Sequence, residues 1–79
     1  MDDFSIDKVV DTRGSLCPGS IMALIEAVKL ADINTVIEFF FEDEQSVKDA
    51  SLWINKVGNQ LIVNETVDGY FRIVVKKVK

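Results

Sequence analysis

The stretch Pro18–Phe41, PGSIMALIEAVKLADINTVIEFFF, changes its hydrophobic period once, and that change decides the fold. Ile21, Leu24, Ile25 and Val28 fall at i, i+3, i+4 and i+7, the spacing of one buried helical face. Pro18 suits the first helical position, where a missing N–H has no bond to lose. Cys17 is then expected as the N-cap. The helix fades near Ala31-Asp32, and Asn34 offers a turn. From Val36 the period becomes two. Ile37, Phe39 and Phe41 share one side of a strand rich in aromatic and β-branched residues, with Val36, Glu38 and Phe40 on the other.

Working outward, Val9-Val10 reads as a short strand running into Asp11-Thr12-Arg13-Gly14. Glu42-Asp43-Glu44 ends the aromatic strand and reads as a solvated loop. A second helix is predicted from about Ser46 to Val57, with Val47, Ala50, Ile54 and Val57 at helical spacing and Gly58-Asn59 as its stop. Gln60–Val67 and Tyr70–Lys77 read as strands joined by an Asp68-Gly69 turn. The order is β-α-β-α-β-β. Crossovers of one hand bring both helices to one side of the sheet. The expected fold is an α/β two-layer sandwich with a mixed four-stranded sheet and both helices on one face. Residues 1–8 are expected as a flexible lead-in to a single domain over 9–79. The uncovered face should carry Val36, Phe40, Ile62, Tyr70 and Val74 among Glu38, Asn64 and Arg72, an apolar surface suited to docking or to plain solvent contact.

Composition removes most reaction classes. The 79 residues include one cysteine and no histidine. No internal disulfide, Ser-His pair or Cys-His pair can form, and one thiol among scattered carboxylates makes a poor zinc site. The four glycines form no phosphate-cradling or dinucleotide motif, so neither a metal nor a cofactor is expected. The net charge of −4 argues against strong direct nucleic-acid binding; Arg72, Lys76, Lys77 and Lys79 read as solubilising charges. The longest apolar run, Ile21–Ile25, is too short to span a bilayer, and the acidic opening stretch lacks a secretory core. A free thiol without export signals suits a reducing cytoplasm.

Cys17 is therefore the one candidate reaction centre. A thiolate at a helix start faces unsatisfied N–H groups and the positive end of the macrodipole, so its pKa should fall below about 8.5. Gly19 lacks a Cβ and allows close approach, Gly19 and Ser20 place N–H groups near the sulfur, and Arg13 could add a positive field. A nucleophile without a base suits sulfur exchange between thiols better than amide hydrolysis. On Cys17-Pro18 alone, a partly buried cysteine serving as a small hydrophobe is the more ordinary reading.

The segment Asp11-Thr12-Arg13-Gly14-Ser15-Leu16-Cys17-Pro18-Gly19-Ser20 resembles the signature of the SirA/TusA-like family of small sulfur-carrier proteins, an Asp-x-x-Gly-x-x-Cys-Pro-x-Pro pattern entering a helix. The likeness extends to Glu42-Asp43, Gly58 and Asp68-Gly69-Tyr70-Phe71-Arg72, covering Val9 to Lys77. It implies that Cys17 accepts sulfur as a persulfide. The donor would be a protein such as a cysteine desulfurase or a rhodanese-like protein, and an acceptor protein would follow. The pathways implied are tRNA thiolation, sulfur oxidation or cofactor sulfuration. Pro18, Gly19, Ser20, Arg13, Asp11 and Gly14 would support the thiol. Ser20 stands where the family has its second proline, and the first helical turn should accept proline there within about 1 kcal/mol. Arg13 has three readings: a docking contact, support for the thiolate, or a local bond to Asp11. The competing functions are a regulatory interaction module using the open sheet face and a thiol redox adaptor. The oligomeric state is left open.

Overall fold

A computed structural model describes residues 5–14 and 19–79. It contains β1 (Lys8–Asp11), α1 (Gly19–Leu30), β2 (Val36–Phe41), α2 (Glu44–Lys56), β3 (Gln60–Val67) and β4 (Tyr70–Lys76). The strands form one sheet in the order β1-β2-β4-β3. β1 runs parallel to β2, whereas β4 lies antiparallel between β2 and β3. The sheet is mixed, as the element order requires. It begins slightly before residue 9: Lys8 belongs to β1, and the Asp7 N–H and carboxylate both bond to the backbone of Val36.

Both helices cover one face. Leu24, Ala27 and Val28 of α1 and Val47, Ala50 and Ile54 of α2 close over Ile37, Phe39 and Phe41 of β2 and Ile73 and Val75 of β4. The positions that recur at helical and strand spacing are thus the ones removed from water, and at about 25 cal/mol per Å² their burial is the main term holding so small a domain together. Asn34 has φ +76°, which ends the α1 corner in the left-handed region that asparagine tolerates better than most residues.

Three expectations need correction. The second helix starts at Glu44, with Asp43 as its N-cap, so the Glu42-Asp43-Glu44 run is not simply a solvated loop; Val57 is the C-cap. Next, β3 carries a bulge: Leu61 pairs with Val75, but Val63 pairs with Val74, leaving Ile62 without an opposite residue. One extra residue reverses the alternation beyond it. Asn64 therefore pairs with Ile73 on the helix side, and its amide reaches Ser51 of α2, whereas Val63 and Glu65 occupy the uncovered side.

The third correction concerns that uncovered face. Its central valines are not available for docking: Val36 is 6% exposed and Val74 is fully buried. Glu38 lies opposite Val74 in register, and Arg72 bonds both Glu38 and Glu65 from its place between β2 and β3. Paired charges on long stems close the sheet where an apolar surface was expected.

Candidate functional site

β1 delivers the chain to the site, and three bonds at its end fix the delivery. The Thr12 N–H and hydroxyl both donate to the Phe40 carbonyl, and Thr12 is buried. Asp11 Oδ1 accepts from the Arg13 N–H at 3.0 Å, an Asx turn that reverses the chain direction locally. Gly14 follows with φ +91°, a conformation that a side chain would strain even though nothing crowds the position.

Arg13 settles on this turn. Its Nε and Nη2 donate to the two oxygens of Asp11 at 2.9 and 2.7 Å, a bidentate pair. The guanidinium lies 4.7 Å from the Tyr70 ring centroid and 5.1 Å from that of Phe40, and the two rings meet edge to face at 5.4 Å. Arg13 is therefore a local clamp that fastens the loop to β2 and β4, which is the local-bond reading extended by two aromatic rings. Its hydrogen bonds and charge hold the Asp11 carboxyl at about 2, down from an ordinary 3.8. A depressed carboxylate pKa contributes stability that is complete above the unfolded value and fades as pH falls through the folded one. The clamp should accordingly persist at pH 3 and release near pH 2. Carbon-detected NMR titration of Asp11 checks this, and in Arg13→Ala the midpoint should return toward 3.8.

A second anchor lies at the start of α1. Ser20 is 3% exposed, and its hydroxyl is 3.0 Å from that of fully buried Ser46. Ser46 in turn donates its hydroxyl to Asp43 Oδ1 at 2.6 Å, and its N–H donates to Asp43 Oδ2 at 3.2 Å. The Ser20 hydroxyl thus donates to Ser46, and the N-terminal turns of the two helices are stitched together. Proline at position 20 would keep the helical turn but delete this buried bond. The expectation from helix geometry alone takes no account of this bond. Ser20→Pro should cost about 1 kcal/mol, the net worth of one buried hydrogen bond, since Ser46 keeps its bond to Asp43. In a domain this small that lowers the melting temperature by about 4–8 °C per kcal/mol, measurable by calorimetry.

Asp11, Arg13 and Gly14 thus form one anchored unit, and Gly19 and Ser20 begin the helix that leaves the site. Cys17 and Pro18, with Ser15 and Leu16, lie outside the described residues. Sequence reasoning missed Thr12, Phe40, Tyr70, Asp43 and Ser46. Only Asp43 carried a readable signal, an acidic N-cap residue before a helically spaced apolar run.

The sequence profile of sulfurtransferase TusA matches residues 8–77. The chain belongs to the TusA family. A candidate sulfur carrier protein of Archaeoglobus fulgidus is 44% identical over 71 residues, which cover 90% of this chain and 97% of that one. The sulfur carrier protein TusA of Allochromatium vinosum is 29% identical over 77 residues, covering 98% and 99% of the two chains. The crystal structure of a SirA-like protein from Desulfitobacterium hafniense superposes with a TM-score of 0.77 at 16% identity, covering 91% of this chain and 99% of that one, and shows the same fold. Membership of this family supports a sulfur-carrier role. Among the described residues no helix is long and apolar enough to cross a membrane.

Proposed function

We propose that Cys17 receives sulfur as a persulfide from a donor protein and passes it to an acceptor protein in the cytoplasm, with a cysteine desulfurase or a rhodanese-like protein as donor. The observation that carries this reading is that the chain's one thiol falls inside the TusA-family match. In the loading step the Cys17 thiolate attacks the terminal sulfur of the donor persulfide. A new S–S bond forms, the donor's S–S bond breaks, and the donor leaves as a thiolate. The second transfer repeats these events with Cys17 as the leaving group. Neither step changes the overall redox state, and neither needs a general base once the attacking thiol is ionised. That suits a chain without histidine.

Asp11, Arg13, Gly14, Gly19 and Ser20 serve as supports on either side of Cys17 in the chain, with Pro18 as a further supporting residue. Arg13 is already engaged with Asp11, which favours a role in holding the loop over one in docking the donor. An interaction module using the uncovered sheet face is disfavoured by its buried valines and paired charges, and a redox adaptor would need its resolving thiol from elsewhere. The test is discharge in a single turnover. Protein loaded with labelled sulfur and freed of donor should release the label to an added acceptor thiol in proportion to the persulfide present. Label that stays on the protein, or leaves without an acceptor thiol, rejects the relay.

A further inference from the structure

Lys77 and Lys79, which the sequence suggested were merely solubilising, gather with Lys29 at one place. A cavity of about 140 Å³ opens where α1, α2 and the segment after β4 converge, lined by Val28, Lys29, Trp53, Val57, Asn59, Lys77 and Lys79. It sits at the C-terminal end of α1. The 12 residues of that helix span about 18 Å, so the cavity lies a helix length from the N-terminal end of α1.

The lysines are held in place by backbone contacts. Asn59 is 8% exposed, and its side-chain oxygen accepts from the N–H groups of both Val78 and Lys79, at 3.0 and 3.1 Å. The Asn34 N–H donates to the Lys77 carbonyl, and the Lys77 N–H donates to the Thr35 carbonyl. Lys77 Nζ donates to the Lys29 carbonyl at 3.1 Å. The Lys79 side chain lies over Gly58, so close that a Cβ there would stand 3.0 Å from its Nζ.

Part of this positive charge answers the two helix C-termini, each worth about half a negative charge. Three lysines exceed that. Among the described residues none of the three lies in an ion pair, although the chain is acidic overall. The kind of cation matters as well. Both arginines are committed to carboxylates elsewhere, through the planar forks that suit carboxylates. What remains at the cavity are ammonium groups, point charges with rotatable donors that bind phosphate oxygens without needing a planar partner. Half-buried Trp53 supplies an apolar wall beside them.

We propose that this cleft binds phosphate groups, with Lys29, Lys77 and Lys79 as the ligating cations and Trp53 against the body of the ligand. Trp53 is the chain's only tryptophan, so its emission reads the site directly. Full-length protein is titrated at constant ionic strength with inorganic pyrophosphate, with a short single-stranded oligoribonucleotide, and with an oligoglutamate peptide. Pyrophosphate should give a saturable change in Trp53 emission. Lys79→Gln should weaken binding by about fivefold, the worth of one solvated charge contact. Lys48→Gln, a substitution elsewhere on α2, should leave binding unchanged. Lys79 is the informative variant because its Nζ bonds no described backbone group, whereas Lys77 also supports Lys29. Tighter, equally lysine-dependent binding of the oligoribonucleotide would identify a nucleic-acid backbone as the phosphate source; pyrophosphate alone would identify a free phosphate. The proposal is overturned if neither phosphate probe changes the emission, if Lys79→Gln leaves the binding curve unaltered, or if only oligoglutamate binds, which would make the cleft a contact for an acidic protein. None of these readouts involves Cys17.

Discussion

Cys17→Ser should abolish sulfur loading and sulfur discharge and leave the domain folded. Serine keeps the size and hydrogen-bonding capacity of the thiol, but its oxygen neither ionises near neutral pH nor forms a stable bond to sulfane sulfur. With no second cysteine in the chain, no other residue can take over. Among the described residues the packed core lies between the sheet and the two helices and is built from α1, α2, β2 and β4. Because serine and cysteine are close in size, urea denaturation of the variant should keep its unfolding transition within about 1 kcal/mol of wild type. Loss of loading together with loss of the unfolding transition would instead place Cys17 among the folding determinants. Retained loading would move the sulfur chemistry off this residue.

The largest loss of stability should come from Phe39→Ala. Phe39 is fully buried at the middle of β2, stacks on Phe41 with ring centroids 6.3 Å apart, and faces Val10 and Ile73 in register. Removing a buried phenyl ring costs about 3–5 kcal/mol, because the lost transfer energy is joined by a cavity that the sheet cannot close. A chain of this length holds about 4–12 kcal/mol in total. The substitution thus removes about a quarter or more of the stability, and at the lower end of that range most or all of it. The denaturant midpoint should fall steeply with little change in slope. Phe40, one residue on, lies on the opposite face beside Arg13 and Tyr70, and Phe40→Leu should cost much less. Equal losses at the two positions would mean that the helices do not cover the face assigned to them.

The elements legible in the sequence were those governed by local pattern. The ends of β2 and β3 fall where alternation and turn residues place them, and Asp68-Gly69 makes the hairpin between β3 and β4. The helix side of β2 could be read because three aromatic or branched residues alternate with no interruption. Asn64 could not be assigned to its face, because nothing in Gln60–Val67 announces the bulge at Ile62, and alternation carries no information past such a slip. The candidate site was half legible. Asp11, Arg13 and Gly14 stand together in the sequence, so their association was readable. The aromatic rings that receive Arg13 come from strands far along the chain, and local spacing does not encode that meeting. The Ser20–Ser46 bond is of the same kind: each serine looks unremarkable alone, and only the packing of α1 against α2 makes them partners. Cys17 itself was singled out by inventory and by the resemblance around Cys17-Pro18, not by periodicity.

The measurement that tests the sulfur-carrier reading most directly is the intact mass of the wild-type protein after incubation with a cysteine desulfurase and cysteine. The expected spectrum shows one added sulfur atom per chain, lost on treatment with a reductant and confined, after digestion, to the peptide containing Cys17. A protein that stays at its unmodified mass with desulfurase and rhodanese-type donors alike, while its thiol alkylates normally, would contradict the account.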